Sequence, residues 1–227
     1  MILTAHQPAY LPYLGLFHKI AQADVFVSFD DVQYCPKDYQ NRNKIWTSHG
    51  PQWLTVPVHH SRETKIYDVQ INKALPWQRK HWKSIEQSYH KAEYWSVYNN
   101  ALAILYAIEY DSLCALNADL LRTILGWLGI ATEIRKASDY TFHGEKSARV
   151  LDMCQQLGAD TYIFGALGRN YADVAAFELA EIKVIFQDYR HPVYSQFGGE
   201  FMSHLSILDL LFHHGPKAKQ ILIGERT

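Results

Sequence analysis

Met1-Ile2-Leu3-Thr4-Ala5-His6-Gln7-Pro8-Ala9-Tyr10-Leu11-Pro12-Tyr13 runs into Leu14-Gly15-Leu16-Phe17-His18-Lys19-Ile20-Ala21-Gln22-Ala23, then Asp24-Val25-Phe26-Val27-Ser28-Phe29-Asp30-Asp31. Residues 1–5 are a short apolar run that reads as a buried strand. Two prolines make 6–13 a loop. Leu16, Phe17, Ile20 and Ala21 recur at helical spacing, which predicts one amphipathic helix over 14–23. The β-branched and aromatic run 25–29 predicts a second strand ending at Asp30-Asp31. Such a β-loop-α-β unit pairs its strands in parallel through a right-handed crossover.

Working outward, 33–43 is polar and aperiodic and reads as loop, while 53–58 and 67–71 read as strands joined by the polar connector 59–65. Pro57 marks an edge or strand end. Helical patterns follow over 77–89, 94–107 and 113–128, the last stopped by Gly129. A strand over 130–134, a helix over 147–156 closed by Gly158, a strand over 161–164, a helix over 171–180, a strand over 183–186 and a helix over 205–212 complete the chain. Strands alternating with helices predict an α/β fold with a mostly parallel sheet of Rossmann-like type and helices on both faces. The expected organisation is one domain over 1–227, with a helical insertion at about 77–128.

With 227 residues, 48 % of them hydrophobic and 20 % charged, the chain suits one well-buried core. Its fifteen Tyr, ten Phe and six Trp exceed what a core alone asks for, and those in polar loops suit pocket walls. A net charge of −1 gives no electrostatic case for bulk binding to nucleic acid or an anionic membrane. No apolar run nears the roughly 18 residues of a membrane span, and no basic-then-apolar leader opens the chain, so a cytoplasmic location is expected. Cys35, Cys114 and Cys154 form no CxxC pair and predict reduced thiols rather than a disulfide framework or zinc site. Trp77, Trp82, Trp95 and Tyr98 in the insertion would suit a homodimer surface.

In open α/β sheets, ligands bind beyond the carboxyl ends of the strands. That rule selects His6, Gln7, Tyr10 and Tyr13 after the first strand, Asp30, Asp31 and Gln33 after the second, and Gly165, Gly168, Arg169, Asn170 and Tyr171 after 161–164. His6 suits a general acid/base or a phosphate donor, or else ties down the loop; its place at a strand end favours chemistry. Gln7 offers both a donor and an acceptor. Asp30 or Asp31 could act as a base or hold a cation, but neighbours on an extended chain diverge, so one at most faces the site. Lys37, Asn41, Arg42 and Asn43 share a loop that suits a phosphate or carboxylate, or is simply solvated. Gly165 to Tyr171 resembles a phosphate-cradling turn without being a P-loop. Gln187, Asp188 and His191 follow the strand 183–186 and belong to the same edge. Asp209, alone on an apolar helix, reads as a buried hydrogen-bond anchor, and adjacent His213-His214 lack a third ligand, so no metal site is expected. Nucleophile signatures such as GxSxG and HExxH are absent; Cys35, beside Lys37, is the one thiol with a claim to reactivity.

His6-Gln7-Pro8-Ala9-Tyr10-Leu11-Pro12, Asp31-Val32-Gln33-Tyr34, Asn41-Arg42-Asn43, Trp53-Leu54-Thr55-Val56-Pro57, Gly168-Arg169-Asn170-Tyr171, Phe186-Gln187-Asp188-Tyr189 and the segment from Leu205 through Asp209 to Phe212 together resemble the WbqC-like family over nearly the whole chain. Ser195, where a proline is expected, and His213-His214 depart from its pattern. The resemblance implies a bacterial protein encoded among genes for O-antigen or other surface-glycan synthesis. The opening unit is also distantly similar to the HIGH-motif nucleotidyltransferases, though their His-x-Gly-His is missing.

The expected function is group transfer (nucleotidyl, acyl or aminoacyl) in surface-polysaccharide or amino-sugar precursor synthesis, on a small-molecule substrate. His6 with Asp30 or Asp31 would move protons, and Arg42 and Arg169 would hold phosphate or carboxylate. A nucleotide or CoA-type donor, with or without Mg²⁺, would supply the group. The alternative is a non-catalytic module that binds a small molecule or nucleotide sugar for a partner enzyme.

Overall fold

The computed structural model describes residues 1–197 and 200–224. Strand β1 (Ile2–His6) leads by a loop into helix α1 (Leu14–Ile20), and the chain returns as β2 (Val25–Ser28), parallel to β1 with Leu3 opposite Val25 and His6 opposite Ser28. Two short hairpins follow: β3 (Arg42–Thr47) with β4 (Gly50–Thr55), and β5 (Val58–His59) with β6 (Gln70–Ile71). Helices α2 (Trp77–Tyr89), α3 (Trp95–Ala107) and α4 (Leu113–Trp127) form the insertion. Helix α4 begins where the Ser112 hydroxyl accepts the Ala115 N–H, and Gly129 at φ +59° follows its end. Then come β7 (Glu133–Lys136), α5 (Lys146–Leu157), β8 (Thr161–Phe164), α6 (Val174–Leu179), β9 (Lys183–Phe186), α7 (Ile207–His214) and α8 (Ala218–Ile223).

The main sheet has the order β7-β2-β1-β8-β9, every pair parallel. From β1 the chain builds outward through β2 to β7, then jumps back to β8 on the other side of β1. The switch point therefore lies between β1 and β8. This is the α/β, Rossmann-like sheet that the alternation of strands and helices implies. Successive strand residues face opposite ways, so Leu3, Ala5, Val25, Val27, Tyr162 and Phe164 join one apolar cluster with Val150, Met153 and Cys154 of α5 and Phe177 of α6. Phe26 joins the other cluster, with Leu16, Phe17 and Ile20 of α1 and the helices beyond them. Thr4, buried in the middle strand, is satisfied because its hydroxyl donates to the Ile163 carbonyl at 2.8 Å.

Several elements depart from the expected ones: the strand expected over 53–58 is split into β4 and β5 by Val56-Pro57, and α8 follows the expected last helix. The loop expected over 33–43 gives way at Arg42 to β3, whose inward positions are Asn43 and Ile45; a polar inward residue hid the strand alternation. Residues 66–68 form a single 3₁₀ turn before the two-residue β6, since Ile66, Val69 and Ile71 are buried at irregular spacing. The strand expected over 130–134 lies at β7 instead, because the Thr132 hydroxyl first bonds the Ile20 and Ala23 carbonyls. The helix expected over 171–180 is the shorter α6, which starts only at Val174 because the Asp173 carboxylate caps it on the Ala176 N–H.

Trp77 and Tyr98 are buried within the chain, and Trp82 stacks on Trp95 with ring centres 5.6 Å apart. Asp209 is fully buried and accepts from the Tyr89 hydroxyl at 3.0 Å and from Gln196 Nε2 at 2.7 Å, as its apolar setting suggests. All three cysteines are free thiols; burial pushes Cys114 and Cys154 up to about 12. Among the described residues, no helix is long and apolar enough to cross a membrane.

Candidate functional site

At the carboxyl edge of the sheet, where β1 and β8 end, a cleft of 630 Å³ opens at the switch point. Its chemistry begins with His6, the last residue of β1. The ring is open to the cleft but closely surrounded by protein elsewhere. Its Nδ1–H donates to the Gln7 carbonyl at 2.7 Å, which leaves the lone pair on Nε2. The protein packed around this exposed side chain, and then the charge of Lys19, hold the His6 pKa down at about 4. His6 is therefore neutral near pH 7.

Gln7 Oε1 accepts from Gln40 Nε2 at 2.6 Å, and Gln40 Oε1 in turn accepts the Cys35 N–H at 3.1 Å. This relay fixes the Gln7 amide and, among the described residues, leaves its NH₂ group without a protein acceptor. Asn43 is positioned by donating to the Leu11 carbonyl at 2.7 Å.

Two charged residues of the lining, Lys19 and Asp38, carry no strand-end motif; Asp38 is exposed, whereas Lys19 is buried. In α1 it stands four residues after Gly15, and helical side chains lean toward the helix N-terminus, which here faces the strand ends. Lys19 is only 4 % exposed; its Nζ donates to the Ala5 carbonyl at 2.8 Å, and burial lowers its pKa to about 8. Among the described residues no carboxylate pairs with it.

Aromatic groups complete the lining. Tyr13 stacks on His204 with ring centres 5.8 Å apart and meets Tyr189 edge-on at 6.3 Å. Gly15 makes room for this: a Cβ there would stand 2.6 Å from Cζ of Tyr13. Gln187 Nε2 ties the segment after β9 to α1 by donating to the Gly15 carbonyl at 2.8 Å. On the β8 side, Gly165, Gly168 and Tyr171 border the cleft; a Cβ at Gly168 would lie 2.5 Å from Cβ of Phe164.

Of the residues that the sequence placed at the strand ends, His6, Gln7, Asn43, Gly165, Gly168, Tyr171 and Gln187 thus come together, with Tyr13. The others are engaged elsewhere. Tyr10 is fully buried, its hydroxyl shared with His81 Nδ1 at 2.8 Å and with the Tyr106 hydroxyl. Asp30 accepts from the Ser138 N–H at 2.9 Å and the Ser138 hydroxyl at 2.7 Å, beside a small pocket of 30 Å³. Asp31 pairs with Arg149, and Gln33 donates to the Arg62 carbonyl. Asn41 donates to the Val56 carbonyl at 2.8 Å. Arg42 bonds the carbonyl of exposed Lys37 and lies 4.4 Å over the Trp53 ring, while Arg169 lies 4.6 Å over Phe186. Asn170 and Asp188 are exposed. The His191 Nδ1–H donates to the Pro192 carbonyl at 2.9 Å, and its Nε2 accepts the His204 N–H at 3.2 Å.

His204, Tyr162 and Lys19 are among the lining residues that no motif pointed to. For Lys19 a signal existed: a lysine one turn after a glycine, in a short crossover helix that is apolar apart from it and His18. Among the described residues no cluster of three or more His, Cys, Asp or Glu side chains is placed to hold a metal ion.

Two comparisons agree with the residues that opened the reading. The family model for the WbqC-like protein family matches residues 7–221. An uncharacterized protein of Mycobacterium tuberculosis, Rv1507c, is 37% identical over 220 residues, covering 95% of each chain. No solved structure matches. With the match running from the loop after β1 to the last helix, the chain belongs to the WbqC-like protein family.

Proposed function

We propose that the protein is a group-transfer enzyme acting on a small molecule in the cytoplasmic synthesis of bacterial surface-polysaccharide or amino-sugar precursors. The observation that carries the reading is His6: a neutral imidazole, held in one tautomer by the Gln7 carbonyl, with its free Nε2 at the switch-point cleft. A neutral Nε2 accepts a hydrogen bond from an attacking hydroxyl or amine and takes its proton as the new bond to the donor's phosphorus or carbonyl carbon forms. The bond to the donor's leaving group (pyrophosphate, a nucleotide or the CoA thiolate) breaks, and that group departs with the electron pair. The free amide NH₂ of Gln7 orients the acceptor, and the Tyr13, Tyr189 and His204 rings give a planar part of the donor, such as a nucleobase, a surface to stack on. A cleft of 630 Å³ has room for a nucleotide or part of a CoA-type donor. The pathway assignment is supported by family membership, and the transferred group is a nucleotidyl, acyl or aminoacyl unit.

The test is a thermal-shift screen against nucleotides, nucleotide sugars, CoA thioesters and amino acids, with and without Mg²⁺, followed by mass spectrometry of donor–acceptor mixtures. Ligands that bind only the folded state raise Tm by mass action. An enzyme with His6→Asn should keep the ligand-induced shift and lose product formation by about 10²-fold or more. Loss of binding alone, with no turnover in the wild type, would instead describe a carrier module that serves a partner enzyme.

A further inference from the structure

A buried ammonium without an opposite charge is costly unless something else neutralises it, and Lys19 is such a group. One N–H is taken by the Ala5 carbonyl; among the described residues the other two have no protein acceptor. The neighbouring residue across the switch point is Gly165. Its backbone sits at φ −68°, ψ 170°, which any residue adopts, so the backbone does not call for glycine. What glycine provides is an opening: a Cβ at 165 would stand 3.9 Å from Nζ, in van der Waals contact and over the ammonium. The two features coincide, a charge with spare donors and a gap left above it.

We propose that Lys19, reached across Gly165, is an anion subsite that takes a phosphate or carboxylate group of the substrate beside His6. Arg42 and Arg169, the cations that loop composition would choose for this task, lie over Trp53 and Phe186 instead. Lys19 is the buried cation of the cleft; the carboxylate of the same lining, Asp38, is exposed, acts on His6 in the opposite sense and makes no ion pair with Lys19. The subsite has a consequence for chemistry. Lys19 is a cause of the low His6 pKa, so an anion that neutralises Lys19 makes Nε2 more basic when substrate is in place. The inference rests on the group-transfer reading for its purpose, but it is tested by binding alone, so the two can fail separately.

The experiment titrates the full chain at pH 7 and constant ionic strength with inorganic phosphate, pyrophosphate and acetate, reading Tm and calorimetric Kd. Wild type, Lys19→Met, Gly165→Val and the surface control Lys80→Met are compared. The expected result is saturable binding of an anion by wild type and control, weakened at least about 10-fold by Lys19→Met and by Gly165→Val. Lys19→Met should melt no lower than wild type without anion, because it removes an uncompensated buried charge. A purely structural lysine would behave the opposite way. In NMR titrations the His6 pKa should rise when the anion is added. Binding of phosphate or pyrophosphate only assigns the subsite to a phosphorylated substrate, and binding of acetate only assigns it to a carboxylate. No anion binding to the wild type, or equal binding to Lys19→Met and Gly165→Val, overturns the proposal.

Discussion

Replacing Asp30 by alanine should destabilise the fold without touching ligand binding. Asp30 is 4 % exposed and sits just past β2, where its two carboxylate oxygens separately take the N–H (2.9 Å) and the hydroxyl (2.7 Å) of Ser138. Ser138 lies just after β7, so this bracket ties the ends of two neighbouring parallel strands. Hydrogen bonds to a charged group contribute about 1.5–3 kcal/mol each, and water entering the vacated space would recover part of that for the Ser138 groups. A net loss of about 3 kcal/mol is therefore expected, or roughly 6–12 °C in Tm for a chain of this size. Asp30→Asn keeps one acceptor and should lose about 1 kcal/mol, since the Ser138 hydroxyl can turn to accept from the new amide. The assay is urea unfolding followed by circular dichroism, alongside thermal melts with and without a ligand from the screen. The reasoning is refuted if Asp30→Ala melts within 2 °C of wild type, as a rough bound, while its ligand-induced shift vanishes; Asp30 would then be a site residue.

Gly15→Ala should be nearly neutral in stability, because helix propensity gains about 1 kcal/mol while the displaced Tyr13 ring loses its contact with His204; the ligand-induced shift in Tm should drop several-fold. Gly168→Ala meets a rigid neighbour, Cβ of Phe164, and should cost about 1–3 kcal/mol, visible as a lower urea midpoint. Desolvation lowers His6 and His81 to about 4 in the folded protein, against about 6.5 unfolded, so the unfolded chain binds more protons between those values. Stability present above pH 6.5 should thus be lost progressively as pH falls toward 4, and His6→Asn should flatten part of that slope in melts between pH 7 and 4.5. Tyr10→Phe leaves His81 and Tyr106 without their shared partner and should lower stability by about 1–3 kcal/mol with unchanged ligand response, which the same melts would read.

The sheet and the edge on which the cleft opens follow from the order of residues alone. Apolar runs of strand length alternating with helical periods leave little but a parallel sheet, and a parallel sheet puts all its strand-to-helix loops on one edge. His6, Gln7, Gly165 and Gln187, far apart in the chain, were legible together for that reason. What each polar group does there was decided by the tertiary structure, because a side chain's task depends on which neighbours reach it first. Asp30 and Asp31 are chemically alike, yet one meets Ser138 and the other Arg149. Arg42 and Arg169 find aromatic faces before they can face the cleft. Lys19 belongs to no motif in the sequence; only the packing of α1 against the end of β1 turns it inward, onto the Ala5 carbonyl beside His6.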